Sequence, residues 1–65
     1  MNIKKSTNKA LAEIEQNHRW LSEQLGATES QVSRWVNADH LSTSIIERIA
    51  GVFDMSVGEF IALGE

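Results

Sequence analysis

Residues 28–37, TESQVSRWVN, space apolar Val32 and Trp35 three apart and place four polar residues on other faces of a helix: Ser30, Ser33, Arg34 and Asn37. Arg34 lies in the middle of the stretch, and its guanidinium can donate two parallel hydrogen bonds to the O6 and N7 atoms of guanine. Ser30 and Ser33 carry hydroxyls that can bond to bases or to phosphates. The segment therefore indicates contact with base edges, and the alternative is a solvated surface arginine.

Helices must hold that surface in place. Apolar residues recur three and four positions apart along the whole chain, without the sustained alternation of a strand and without a proline. We therefore expect an all-α fold, a compact five-helix bundle. Ser6 or Thr7 can cap a first helix that runs to about Asn17, where the apolar pattern breaks.

The second and third helices are predicted to meet at a very short turn. The second is followed by Gly26, a residue type that commonly closes a helix in the left-handed conformation. The third starts at Thr28 in a T-x-x-Q capping box. Small Ser22 permits a close approach of the two helices, and four apolar residues fill the space between them: Leu21, Leu25, Val32 and Trp35. Residues 18–37 thus meet the steric demands of a helix-turn-helix.

Two further helices are predicted after a loop. Ser42 or Ser44 caps a fourth helix that runs through Phe53, and the S-x-x-E spacing favours Ser44. Ser56 begins a second S-x-x-E box and a fifth helix that ends near Gly64.

Composition limits the classes of function. Sixty-five residues with 42% hydrophobic content form one small domain with little volume for a cleft. The chain has no cysteine and two separated histidines, and it lacks H-E-x-x-H, a Gly-rich phosphate loop and a paired-carboxylate pattern. It also lacks a signal peptide and the ~20 apolar residues of a membrane span. We therefore expect a cytoplasmic protein that is not an enzyme and has no cofactor, metal, membrane partner or small-molecule effector.

Charge is unevenly distributed along the chain. The net charge is −3, yet residues 1–9 contain three lysines and no acid, and the remainder has three basic and nine acidic residues, a balance of −6. We expect residues 1–8 to form a basic N-terminal arm, in which Lys4 and Lys5 contact phosphates, ahead of a domain at residues 9–65. The alternative is a disordered solubilising tail. An acidic body that binds DNA needs such an arm for counterion release.

Residues 17–63 resemble the lambda-repressor-like, Cro/C1-type family of bacterial and phage DNA-binding domains. LSEQLG is similar to the family's scaffold helix, SQVSRWVN to its recognition helix, and IIERIAGVFDMSVGEFI to the two helices that complete its five-helix bundle. The resemblance implies a homodimer on a pseudo-palindromic operator, commonly a phage or prophage regulator. By position it implies base contacts from Glu29, Ser30 and Arg34, and a contact of Ser33 with bases or phosphate. Backbone contacts would come from His18, Arg19, Thr28 and Asn37.

Three departures from the family pattern affect the predicted DNA contacts. Ala38 and Asp39 stand where many members have glycine and a basic residue, which removes a phosphate contact. Leu41 stands where a proline often precedes the fourth helix. Glu29 replaces a glutamine that often reads adenine, and its carboxylate can instead accept a hydrogen bond from cytosine N4 or simply complement the helix dipole.

Other candidate residues also have structural interpretations. Thr28 caps its helix whether or not DNA is bound. Trp35 shares the Val32 face and is expected in the core. Trp20 falls off the apolar face of its helix, where it can pack on the first helix or lie against a sugar-phosphate strand, and we expect His40 at the surface.

A dimer is expected because one recognition helix reads only a few base pairs, and two half-sites raise the specificity. Its predicted surface includes the fifth helix, around four apolar residues that can equally be core: Met55, Val57, Phe60 and Leu63.

Two other functions stay open. One is a protein-interaction module, antitoxin-like or anti-repressor, whose acidic body binds a basic protein. The other is a lambda CII-type activator, which shares the SQ-x-SRW pattern.

Overall fold

Five α-helices make up most of the described part of the chain, residues 2–65 of a computed structural model. They are α1 (Ile3–Glu13), α2 (His18–Leu25), α3 (Glu29–Val36), α4 (Thr43–Val52) and α5 (Val57–Ala62). No strand occurs among these residues. The prediction of an all-α five-helix bundle is therefore confirmed.

Helix α1 starts earlier than the sequence predicted. Asn2 caps it, and its side chain accepts a hydrogen bond from the backbone N–H of Lys5 at 3.0 Å. The predicted start at Ser6 or Thr7 is therefore wrong. Five residues at the spacing of one helical face are buried from the first turn onward: Ile3, Ser6, Thr7, Ala10 and Leu11.

Two polar side chains lie inside that buried face. Ser6 and Thr7 are both fully buried. The Ser6 hydroxyl donates to the carbonyl oxygen of Ile61 at 3.5 Å, whereas Thr7 Oγ1 has no hydrogen-bond partner among the described residues. Gly64 packs so closely on this end of α1 that a Cβ there would lie 2.5 Å from the Asn2 carbonyl oxygen and from Ser6 Oγ. The C-terminal end of the chain thus covers the start of α1.

The predicted separation of an arm at residues 1–8 from a domain at residues 9–65 needs correction. Helix α1 continues without a break across this boundary, and its first turns pack in the bundle. The sequence predicted a polar arm here because two of the positions that are in fact buried, Ser6 and Thr7, carry polar side chains. Lys4 and Lys5 are exposed on the first turn of α1, and Met1 lies outside the described residues.

The turn between α2 and α3 follows the prediction closely. Asn17 lies beyond the end of α1 and caps α2, since its side chain accepts from the N–H of Trp20 at 2.9 Å. Gly26 ends α2 in the left-handed conformation with φ of 65°. The capping box of Thr28 and Gln31 then starts α3. The predicted end of α2 at Gly26 and the predicted start of α3 at Thr28 are therefore confirmed. The expected end of α1 near Asn17 is wrong, because α1 ends at Glu13.

Of the caps predicted for the last two helices, the one for α5 is confirmed and the one preferred for α4 is not. Ser42 caps α4 by accepting from the N–H of Ile45 at 3.4 Å. The preference for Ser44 is therefore wrong, and its hydroxyl lies 3.3 Å from that of Ser42. The capping box that joins Ser56 and Glu59 at the start of α5 is confirmed.

All five helices contribute to the core. One residue from each of α2, α3, α4 and α5 is fully buried at its centre: Leu21, Val32, Ile49 and Phe60. Helix α1 closes the bundle by packing on α3 and α5. Burying a side chain as large as Phe60 contributes about 1.5–3 kcal/mol. Phe60 therefore offers no surface to a partner, and its predicted place in a dimer interface is corrected.

The two tryptophans are half-buried against different elements. Trp35 packs on the core, as expected. The Trp20 ring lies 6.2 Å from that of Phe53, which in turn stacks on Phe60 at 6.2 Å. Trp20 thus packs against the end of α4, a partner that the sequence did not suggest.

Candidate nucleic-acid interface

Helix α3 has a buried side and an exposed side. Val32 and Val36 face the core, with 0% and 3% of their surface exposed. The four side chains predicted to contact bases are all exposed: Glu29, Ser30, Ser33 and Arg34. An eight-residue helix held by one apolar face can thus present its polar face to a groove.

Arg34 is free to bind a ligand. Its side chain makes no hydrogen bond or ion pair with any of the described residues, where the single ion pair joins Arg19 and Glu23 at 3.8 Å. All five guanidinium N–H donors are therefore available, which suits bidentate recognition of an acceptor pair.

The N-terminal end of α3 combines a cap with a negative charge. Thr28 Oγ1 accepts from the Gln31 N–H at 3.1 Å, so its own hydroxyl hydrogen remains able to donate to a phosphate. Glu29, in the first turn, carries a carboxylate that the helix dipole stabilises. This end of the helix can accept a hydrogen bond from a base amino group, and it repels a phosphate placed directly over Glu29.

The C-terminal end of α3 meets the first turn of α1. Asn37 donates from Nδ2 to the Ser33 carbonyl oxygen at 2.7 Å, which stabilises the end of the helix. Asn37 also lines a shallow depression of about 290 Å³ together with Lys4 and Asp39. The structure thus brings Lys4 to the C-terminal end of α3, and the exposed Asp39 carboxylate beside the same depression offsets part of its charge. Lys5 does not line this depression.

The N-terminal end of α2 is linked to α1. His18 Nε2 lies 3.1 Å from Asn8 Oδ1, and both residues line a second shallow depression of about 400 Å³. Arg19 is exposed, as is its ion-pair partner Glu23. These two predicted phosphate contacts therefore lie together, but each already has an intramolecular partner that DNA must displace or share.

Arg48 was missed by the sequence analysis. It donates from Nη2 to the carbonyl oxygen of Leu25 at 2.8 Å, and its Cζ lies 5.9 Å from the centre of the Trp35 ring. Leu25 is 23 positions away in the chain, so no local spacing could have revealed this contact.

The described residues contain no group of three or more side chains placed to hold a metal ion. Within the same residues, no helix has the length and apolar character required to span a membrane.

Two short helices joined by a glycine turn inside an all-α bundle define the helix-turn-helix class of DNA-binding proteins. A comparison with protein families shows that the family model for the Cro/C1-type HTH DNA-binding domain matches residues 3–64. Because this match covers nearly the whole chain, the protein belongs to the Cro/C1-type family of DNA-binding regulators, which are typically not enzymes. No match was found among curated proteins or among solved structures.

Proposed function

We propose that this protein is a sequence-specific transcriptional repressor that binds a pseudo-palindromic operator as a homodimer, in the manner of a phage or prophage Cro/C1 regulator. Helix α3 enters the major groove, and Glu29, Ser30, Ser33 and Arg34 read base edges. The observation that carries this proposal is the exposed and unpartnered guanidinium of Arg34 on a helix whose opposite face is buried.

Phosphate contacts on both sides of α3 complete the proposed interface. His18 and Arg19 lie at the start of α2, and Thr28 lies at the start of α3. Asn37 and Lys4 share the depression at its other end. Lys5 extends this set along α1, so the lysines act from a rigid helix rather than from an arm. Their positive charge supplies the counterion release that the acidic remainder of the chain cannot.

The proposed dimer surface lies on α5 and the loop before it. Met55, Val57 and Leu63 are half-buried, so each keeps an accessible apolar surface that a second copy can cover. Light scattering over a range of protein concentrations, with and without operator, tests this part. A 1:1 complex on a palindromic site contradicts the dimer.

Selection of bound duplexes from a random DNA library by the purified protein at low salt tests the function. We expect enrichment of a two-fold symmetric motif. Failure to enrich any sequence, while circular dichroism shows an intact helical fold, contradicts the proposal. Regulation of a chromosomal or phage operator also implies that the protein works in the cytoplasm at the nucleoid.

A second candidate function is a protein-interaction module, antitoxin-like or anti-repressor, on the same fold. The nine acidic residues against six basic ones, and Asp39 at the end of the recognition helix, favour a basic protein partner. Failure of the DNA selection would support this alternative. A CII-like activator binds DNA in the same way as the repressor, and a promoter-reporter assay separates them, since a repressor lowers transcription and an activator raises it.

A further inference from the structure

Arg48 connects three helices around the turn of the helix-turn-helix. Its side chain starts on α4, its Nη2 donates to the last carbonyl of α2, and its guanidinium lies over the Trp35 ring of α3. No other side chain in residues 2–65 makes a hydrogen bond, ion pair or cation–π contact with both α2 and α3. Arg48 is therefore placed to influence how α2 and α3 are oriented relative to each other.

The contact with α2 stabilises the end of that helix. The N–H groups of Gly26 and Ala27 bond back to carbonyls one turn earlier in α2. Leu25 is the last residue of α2, so its carbonyl oxygen has no partner within the helix, and Arg48 donates to it at 2.8 Å. A positive charge at this position also interacts favourably with the negative C-terminal end of the helix dipole. The bond thus holds the residue immediately before the turn.

The contact with α3 is an attraction between a cation and an aromatic ring. The distance of 5.9 Å from Arg48 Cζ to the Trp35 ring centre is within the range of such interactions. Trp35 is the neighbour of Arg34 in the chain, so fixing its ring restricts rotation of α3 about its axis. The one ion pair among the described residues involves Arg19 and Glu23, so no carboxylate there draws Arg48 away.

We propose that Arg48 is a positioning residue for base recognition. By holding the end of α2 and the Trp35 ring at the same time, it orients α3 so that Arg34 reaches base edges. This inference rests on the proposed function, and it assigns to Arg48 an effect on sequence preference without direct contact with DNA.

The first test compares the affinities of variants for two duplexes: the one that the unaltered protein enriches from a random library, and a scrambled duplex of the same composition. Arg48→Met keeps the apolar stem but removes the donors and the charge. We expect about tenfold weaker binding of the enriched duplex and a change of at most about twofold for the scrambled one. Arg48→Lys, which retains the charge and a donor but loses the planar group, should lie between these values.

A matched control removes a positive charge elsewhere. Lys9 is exposed on α1, and Lys9→Met should weaken both duplexes alike if it changes binding at all. Equal weakening of both duplexes by Arg48→Met, with a reduced salt dependence, would make Arg48 a phosphate contact and overturn the inference. Unchanged affinity for both duplexes would also overturn it.

A second test needs no DNA and distinguishes failure of this inference from failure of the proposed function. In Arg48→Met we expect faster amide hydrogen exchange at Gly26 and Ala27, and a shifted indole N–H resonance for Trp35 but not for Trp20. If neither changes, Arg48 does not hold the turn, and the inference is wrong even for a protein that binds an operator. If both change but the unaltered protein enriches no duplex, the proposed function has failed, and with it the role of Arg48 in base recognition.

Discussion

Helix α1 and helix α3 use their polar residues in opposite ways. In α3 the apolar Val32 is buried and the polar side chains around Arg34 are exposed. In α1 the lysines are exposed, but Ser6 and Thr7 are fully buried among apolar neighbours. Small hydroxyl residues therefore lie at the surface in α3 and in the core in α1.

The partners of each helix explain this difference. The start of α3 is stabilised by residues within three positions of each other, through the capping box of Thr28 and Gln31. The start of α1 is covered by the opposite end of the chain, where Ile61 accepts from Ser6 across 55 positions and Gly64 allows a close approach. Sequence patterns reveal local interactions of the first kind and not distant ones of the second.

Of the substitutions that test this difference between α1 and α3, Ile3→Ala should have the largest effect, a loss of stability. Ile3 is 3% exposed, so truncating it should lower the free energy of unfolding by about 2–5 kcal/mol, measured by urea denaturation. Lys5→Ala, on the exposed side of the same turn, should change that free energy by no more than about 0.5 kcal/mol. Equal effects of the two substitutions would show that the first turn of α1 is a separate arm after all.

Arg34→Ala should affect binding without affecting folding. We expect a loss of about 1–3 kcal/mol in affinity for the enriched duplex and a flattened preference at one base position per half-site. The free energy of unfolding should stay within about 0.5 kcal/mol of its original value, because Arg34 is exposed and makes no hydrogen bond or ion pair with a described residue. Arg19→Ala is the matched control, and it should weaken all duplexes alike. Uniform weakening by Arg34→Ala would instead make Arg34 a phosphate contact.

Substitutions at Thr7 and Ser6 should produce the smallest effects, and the two should have opposite signs. Thr7→Val replaces a buried hydroxyl that lacks a partner, so the free energy of unfolding should rise by about 1 kcal/mol. Ser6→Ala removes a hydroxyl that does donate, and it should lower the same quantity by about 0.5–1 kcal/mol. Thermal unfolding of both variants, compared with that of the unaltered protein, tests whether the two changes in stability have opposite signs. A loss of stability in Thr7→Val would mean that its hydroxyl is satisfied in solution.

Much of the fold and part of the site could be predicted from the sequence. Gly26, Thr28 and Ser56 marked three helix boundaries because each acts on backbone groups within a few positions. The exposure of Arg34 followed from its spacing to the apolar residues of α3. Its contact with a base remains a prediction, because DNA contacts depend on how the whole surface meets a duplex.

Other features were invisible because their partners are far apart in the chain. The burial of Ser6, which rules it out as the cap of α1, depends on Ile61 and Gly64 at the other end of the chain. The contact of Arg48 with Leu25 depends on the packing of α4 against α2.

The sequence by itself determined five helices, a glycine turn and an exposed polar face on α3, because periodicity and capping act over three or four residues. Only the tertiary structure decided that the basic N-terminal segment is a helix of the bundle, that Phe60 is core, and that Arg48 spans the turn. Those outcomes depend on which distant surfaces exclude water together, and a linear pattern does not specify such pairings.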